Sequence, residues 1–287
     1  MDAPDRRFGD LGAIRPVYNR YNRIVPDPLH TLNPTTRFTE RAGEYDRVRP
    51  GYPEAAVDLA LRGLGDPAKL TIADIGAGTG IFARALARRG CRVVAIEPNA
   101  AMRAAAPAHD PHENIEWRDA TGEDTGLAGG SVDVVSCAQA FHWLRPEQAI
   151  REFCRILRPG GRVALLWNIG DEHDPVARGY YEAIRRASDF FTTSHDRVTA
   201  NPLHHAPLLG QEEHTLPNAQ RLDAQGLIGR AMSASYVPQA EDSSERRRLI
   251  EDLRALHAQH ADEEGVVTLV YQTQVYLARA PEIAEQA

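Results

Sequence analysis

The chain is predicted to be an α/β protein built on a doubly wound, mainly parallel sheet. Two features carry this: short apolar runs alternate with stretches of helical spacing, and a glycine-rich turn joins the first run to the helix after it. Strands covered by helices on both faces need nearly continuous apolar side chains, and these runs have them. Residues 70–75, 91–96, 115–117, 132–137 and 162–167 are expected as strands. Two helices, over 40–48 and 53–64, precede them. The second opens on Pro53, whose fixed φ suits a first helical turn, and carries Ala56, Leu59, Ala60 and Leu64 near helical spacing. Between the strands lie a helix over 79–89, one after Asn99, and one over 146–157 that Pro159-Gly160-Gly161 terminates.

Beyond Gly170 the pattern changes. Helices are expected near 176–187, 224–232 and 244–260, with loops between them, and the β-branched and aromatic residues of 266–279 suggest a long last strand. The chain is thereby divided into an N-terminal extension (1–36), a cofactor-binding core (37–170), a helical cap and substrate region expected to include one sheet strand (171–262), and the final strand with its tail (263–287). Prolines at 4, 16, 26, 28 and 34 oppose a long helix in the extension. It reads either as a flexible leader or as a strap carrying Tyr18 or Tyr21 across a ligand site or onto the partner in a homodimer.

Composition excludes several classes. Hydrophobic residues make up 43% and charged residues 25% of the 287, as in an ordinary globular protein. Lys and Arg number 33 against 40 Asp and Glu, a formal charge of -7, and no basic run is dense enough to follow a phosphate backbone, so nucleic acid is not expected as a partner. No apolar stretch approaches the roughly 18 residues of a membrane span, and the N-terminus lacks the apolar segment of a signal peptide. Cys91, Cys137 and Cys154 form no CxxC pair and are expected as buried thiols in a reducing, cytoplasmic setting. His173 and the His204-His205 pair lack repeated ligand spacing, so no metal is expected.

The most informative stretch is Ala73-Asp74-Ile75-Gly76-Ala77-Gly78-Thr79-Gly80, where the first strand meets its helix. Glycines there let the backbone turn sharply and let a ligand lie against it without Cβ clashes. Glu97 ends the second strand about twenty residues on, where a carboxylate can accept from both hydroxyls of a ribose. The pair points to an adenosine-containing cofactor. A dinucleotide fingerprint would place its third glycine at 81, where Ile81 stands. A nicotinamide-dependent oxidoreductase is therefore the weaker alternative, and a non-catalytic binding or assembly module on the same fold is another.

Asp74 followed by Gly76, Gly78 and Gly80, then Glu97, then Leu157-Arg158-Pro159-Gly160-Gly161, resembles the class I S-adenosylmethionine-dependent methyltransferases. The similarity extends to the type-11 and trans-aconitate methyltransferase-like group through residues 45–53 (YDRVRPGYP) and 138–143 (AQAFHW). It implies a seven-stranded Rossmann-like sheet, S-adenosyl-L-methionine as cofactor, and transfer of a methyl group to O, N or C of a small-molecule metabolite, leaving S-adenosylhomocysteine. It also implies that the cofactor is held by Tyr45, Arg49, Asp74, Gly76, Ala77, Gly78, Gly80, Glu97, Pro98, Thr121, Gly122, Gln139 and Phe141. For adenine, spacing back from Asp133 favours Thr121-Gly122, with Asp119-Ala120 as the alternative. His142, Tyr45 and Tyr236 are the candidate catalytic residues; for His142 a proton-accepting role competes with simple pocket shaping. Tyr21, His142, Trp143, Trp167, Asn168 and Tyr236 are expected to border the acceptor.

Overall fold

A computed structural model of the chain describes residues 46–106, 113–188, 202–203, 206, 208–234, 237–238, 240 and 242–281. The extension with Tyr18 and Tyr21, the start of the helix expected over 40–48, and Tyr45, His204, His205 and Tyr236 lie outside the described residues.

The described chain forms α1 (Glu54–Leu61), β1 (Thr71–Ile75), α2 (Ile81–Arg88), β2 (Arg92–Ile96), α3 (Ala100–Ala105), β3 (Ile115–Arg118), β4 (Val132–Ala138), α4 (Pro146–Ile156), β5 (Leu157–Gly170), α5 (Pro175–Ala187), β6 (Leu209–Leu222), α6 (Ala224–Met232), α7 (Ser244–His260) and β7 (Val267–Arg279). Seven strands make one sheet in the order β3-β2-β1-β4-β5-β7-β6. The first five are parallel, and β7 runs antiparallel between β5 and β6. Strand order reverses between β1 and β4, so the connections leaving their carboxyl ends diverge and open a crevice there.

Apolar alternation along the parallel strands fills two layers. On one face Ile75, Val94, Val135 and Leu165 pack on Ile150, Phe153 and Ile156 of α4. On the other, Ile72, Val93, Val134 and Leu166 pack on α1 and α2 through Val57, Phe82 and Leu86. A third cluster joins α5, α6 and α7 to Leu269 and Tyr271 of β7, so the helices of the expected cap are anchored on the sheet's antiparallel end.

Two elements differ from expectation. Strand β5 begins at Leu157, straight after α4, and the Pro159-Gly160-Gly161 turn lies inside it as a bulge. Val132 pairs with Leu157 and Val134 already with Arg162, and Gly160 supplies the bend at φ 72°. The one strand expected somewhere in the cap is β6, fourteen residues long. Its stretch Gln211-Glu212-Glu213-His214-Thr215 is polar because an edge strand leaves much of its surface to solvent, and Pro217 is tolerated where no further strand demands its missing N–H.

Helix starts follow local side-chain chemistry. Asp174 accepts from the Ala177 N–H at 2.8 Å and Pro175 occupies the next position. Asp174→Ala should therefore lower unfolding free energy by about 1 kcal/mol in urea titration, the usual cost of losing such a cap. No helix among the described residues is long and apolar enough to cross a membrane.

Candidate active site

The turn after β1 is set by backbone conformations that favour glycine. Gly76 and Gly78 sit at φ 64° and 60°, and the Gly76 and Ala77 N–H groups are both spent on the Ile96 carbonyl. A Cβ on Gly76 would stand 2.5 Å from that of Ala140, whereas a Cβ on Gly78 would meet nothing within 4 Å. The turn thus presents a bare backbone to a cavity of about 400 Å³, within the range of about 300–1,000 Å³ typical of small-molecule sites.

Glu97, at the end of β2, lines this cavity and is 8% exposed. One carboxylate oxygen accepts from the Gly78 N–H at 2.9 Å and the other from the Asn99 N–H at 2.8 Å. Burial raises its pKa, while those two amides and the Arg103 guanidinium oppose the rise. Each oxygen keeps a lone pair, so the fixed carboxylate can accept two further hydrogen bonds from a ligand.

Asp74 also lines the cavity and is 1% exposed. Burial pushes its carboxyl up to about 7, against the pull of the Ser136 hydroxyl, which donates to Oδ1 at 2.6 Å, and of the Ala83 backbone. Beyond β3, Thr121 and Gly122 face the cavity. A Cβ on Gly122 would stand 2.7 Å from the Ile75 side chain and 2.8 Å from that of Leu144, so any larger residue would require one or both to shift. Asp119 lies outside, paired with Arg103 at 2.7 Å.

Arg49, Pro50 and Tyr52 line the cavity as well, and the segment 46–52 that carries them is termed its roof. Asp46 accepts from the Thr79 hydroxyl at 2.8 Å and pairs with the buried Arg84 guanidinium, which also donates to the Thr79 carbonyl, so the roof is latched to the glycine turn. Arg49 lines the cavity and donates to the Ser233 carbonyl at 2.7 Å. A second guanidinium, that of Arg230, enters the lining from α6, where it is 3% exposed and donates to the Tyr271 hydroxyl at 3.2 Å.

Residues 73–165 of the chain match a family described as a methyltransferase domain. Uncharacterized methyltransferases of Mycobacterium tuberculosis and Mycobacterium bovis are 36% identical over 227 residues, covering 78% of this chain and 86% of theirs. The chain belongs to the methyltransferase family. Its fold is shared with a structure from Anaeromyxobacter dehalogenans described as a type II methyltransferase (TM-score 0.59, 24% identity, 81% of this chain and 98% of that one). It is also shared with a structure from Anabaena variabilis described as a methyltransferase from an antibiotic biosynthesis pathway (TM-score 0.54, 21% identity, 80% and 98%).

In this methyltransferase, ten of the residues expected to hold the cofactor line this same cavity: Arg49, Asp74, Gly76, Ala77, Gly78, Glu97, Pro98, Thr121, Gly122 and Gln139. Trp143 and Asn168, expected beside the acceptor, line it too. Among the described residues, four of those expected do not. Gly80 caps α2 at φ 87°, and the space a Cβ would take is held by Trp117 at 3.0 Å rather than open to a ligand. Phe141, His142 and Trp143 form a single 3-10 turn, in which successive side chains splay in three directions. Phe141 consequently packs on Phe153 in the core, and only Trp143 reaches the cavity. Trp167 is 3% exposed, stacks edge-on to Tyr276, and donates its indole N–H to His142 Nδ1 at 3.2 Å. An indole nitrogen can only donate, so this bond occupies the lone pair that a histidine base would use at Nδ1. His142 thus stands outside the cavity lining with its Nδ1 engaged by Trp167.

Several lining residues escaped sequence reading, among them Tyr52, Met102, Glu123 and Arg230. Arg230 had a legible signal, because it shares the buried face of α6 with Leu227 and Ala231, and a lone cation on an apolar face calls for an explanation. For Glu123 no local pattern exists; it is placed by accepting from the Arg145 N–H at 2.8 Å. Among the described residues no group of three or more His, Cys, Asp or Glu is placed to hold a metal ion.

Proposed function

We propose that this methyltransferase binds S-adenosylmethionine in the crevice at the carboxyl ends of β1, β2 and β4 and methylates an O, N or activated C atom of a small-molecule metabolite in the cytoplasm, leaving S-adenosylhomocysteine. The observation that carries the reading is Glu97, its two oxygens oriented by the Gly78 and Asn99 amides, beside a turn whose Gly78 is open where a side chain would stand. Glu97 would hold the ribose hydroxyls, Thr121 and Gly122 the adenine, and the turn with Asp74 and Arg49 the amino-acid end. The donor supplies an electrophilic methyl group on a sulfonium.

The protein's own contribution is alignment and exclusion of water. A carboxylate held by two backbone amides and a roof latched through Asp46 and Arg84 fix one end of the reaction coordinate, and orientation of this kind accounts for a large share of many rate enhancements. The cavity of about 400 Å³ supports a small acceptor, since the donor itself claims much of that space.

Isothermal titration separates this reading from its competitors. The full chain is expected to bind S-adenosylhomocysteine at one site and to ignore NAD. Binding of neither would point to an assembly module, and binding of NAD alone to an oxidoreductase.

A further inference from the structure

Three neighbouring strands, β5, β7 and β6, each place one polar side chain where the sheet passes beneath the roof: Asn168, Thr273 and Asn218. Thr273 is fully buried and Asn168 is 8% exposed, amid the apolar side chains of Leu166, Val275 and Leu216. Their hydrogen bonds converge. The Thr273 hydroxyl donates to Asn168 Oδ1 at 2.6 Å, and Asn218 Nδ2 donates to the same oxygen at 3.1 Å. Asn168 Nδ2 and Asn218 Nδ2 then both donate to the Gly51 carbonyl, at 3.0 and 2.9 Å, engaging both of its lone pairs.

Gly51 lies between Pro50 and Tyr52, which line the cavity together with Arg49. A second part of the lining is tied to the same node. Gln139, a non-glycine residue held at φ 58° at the end of β4, lines the cavity and donates its Nε2 to the Asn168 carbonyl at 3.0 Å. Such a backbone conformation persists only where surrounding contacts over-determine it. Gln220 adds a bond from β6 to the Val48 carbonyl at 3.1 Å. Apolar side chains would hold β5, β7 and β6 together at least as well as these groups do, so the polar network adds a single fixed geometry rather than bulk stability.

We propose that Asn218, directly and through Asn168, and Thr273, through Asn168, are positioning residues that hold residues 49–52 over the donor cavity and thereby set how tightly the cofactor is retained. The proposal rests on the assignment of S-adenosylmethionine to this cavity. Asn168, read from the sequence as a residue bordering the acceptor, lines the cavity and has its amide nitrogen bonded to the Gly51 carbonyl.

The test compares Asn218→Ala, Thr273→Val and Thr273→Ser in the full chain, with three readouts: S-adenosylhomocysteine affinity by isothermal titration, thermal unfolding without ligand, and hydrogen exchange of the amides of 46–52. Asn218→Ala and Thr273→Val should weaken binding 5- to 20-fold and speed exchange in the roof, with unfolding temperature nearly unchanged. Thr273→Ser keeps the hydroxyl and should bind within about twofold of the parent, as expected when a hydrogen bond rather than a methyl contact is at stake. Parent-like affinity in both Asn218→Ala and Thr273→Val would overturn the clamp, and so would Thr273→Ser binding as weakly as Thr273→Val. A parent protein that binds no S-adenosylhomocysteine would instead overturn the cofactor assignment on which the clamp rests.

Discussion

Glu97→Ala is expected to raise the dissociation constant for S-adenosylhomocysteine by 100-fold or more, the largest single-residue effect on binding in this site. Two losses combine. The ligand loses a charged acceptor able to take two hydroxyls, each such bond contributing roughly 1.5–3 kcal/mol. The Gly78 and Asn99 N–H groups also lose their acceptor, so the turn and the start of α3 are no longer held at fixed distance from each other. Glu97→Gln is an informative companion. It keeps the shape, but its amide nitrogen must face one of those two N–H donors, so affinity should fall with little change in packing. Isothermal titration checks both, and an affinity within threefold of the parent in Glu97→Ala would remove Glu97 from the cofactor site.

Asp74→Asn should have opposite effects on stability and on binding. The folded-state carboxyl is raised by burial from 3.8 to about 7. Between those values the folded chain holds a proton that the unfolded chain has released, so the parent loses stability as pH rises toward 7 and recovers none above it. The loss is at most about 4 kcal/mol at roughly 1.36 kcal/mol per pH interval of one. Asparagine cannot ionise and can still accept from the Ser136 hydroxyl. The variant's advantage over the parent in urea unfolding should therefore be smallest near pH 4, grow to about 2–4 kcal/mol by pH 8, and stay level beyond. Cofactor binding should weaken in the same variant, because an acceptor able to carry the negative charge that complements the donor's α-ammonium group has been removed. A parent whose stability is flat between pH 4 and 8 would show that Asp74 is ionised throughout.

These two carboxylates also mark how far local spacing reaches. Asp74, the glycines and Glu97 belong to one β-α-β unit, where strand, turn and helix are neighbours along the chain, and their arrangement follows from sterics within some twenty-five residues. Gly80 and Phe141 also follow a strand's end yet do not line the cavity. Trp117 fills the space beside the first, the three-way splay of a 3-10 turn directs the second into the core, and neither is visible as a spacing.

Strand β6 shows a second limit. Its polar residues carry little apolar alternation because the strand sits at the sheet edge, so only its pairing with β7, from Leu209 opposite Arg279 to Leu222 opposite Val267, declares it. Asn218 and Gln220 acquire their roles from that register alone.

The sequence by itself determined the α/β alternation, the bare glycine turn and the acid at the end of β2, because each depends on contacts between residues close in the chain. Only the tertiary structure decided that Trp167 occupies His142, that Arg230 enters the lining, and that Asn168 and Asn218 grip Gly51 across separations of 117 and 167 residues. Bonds over such distances are set by strand register and layer packing, which no local preference of the backbone encodes.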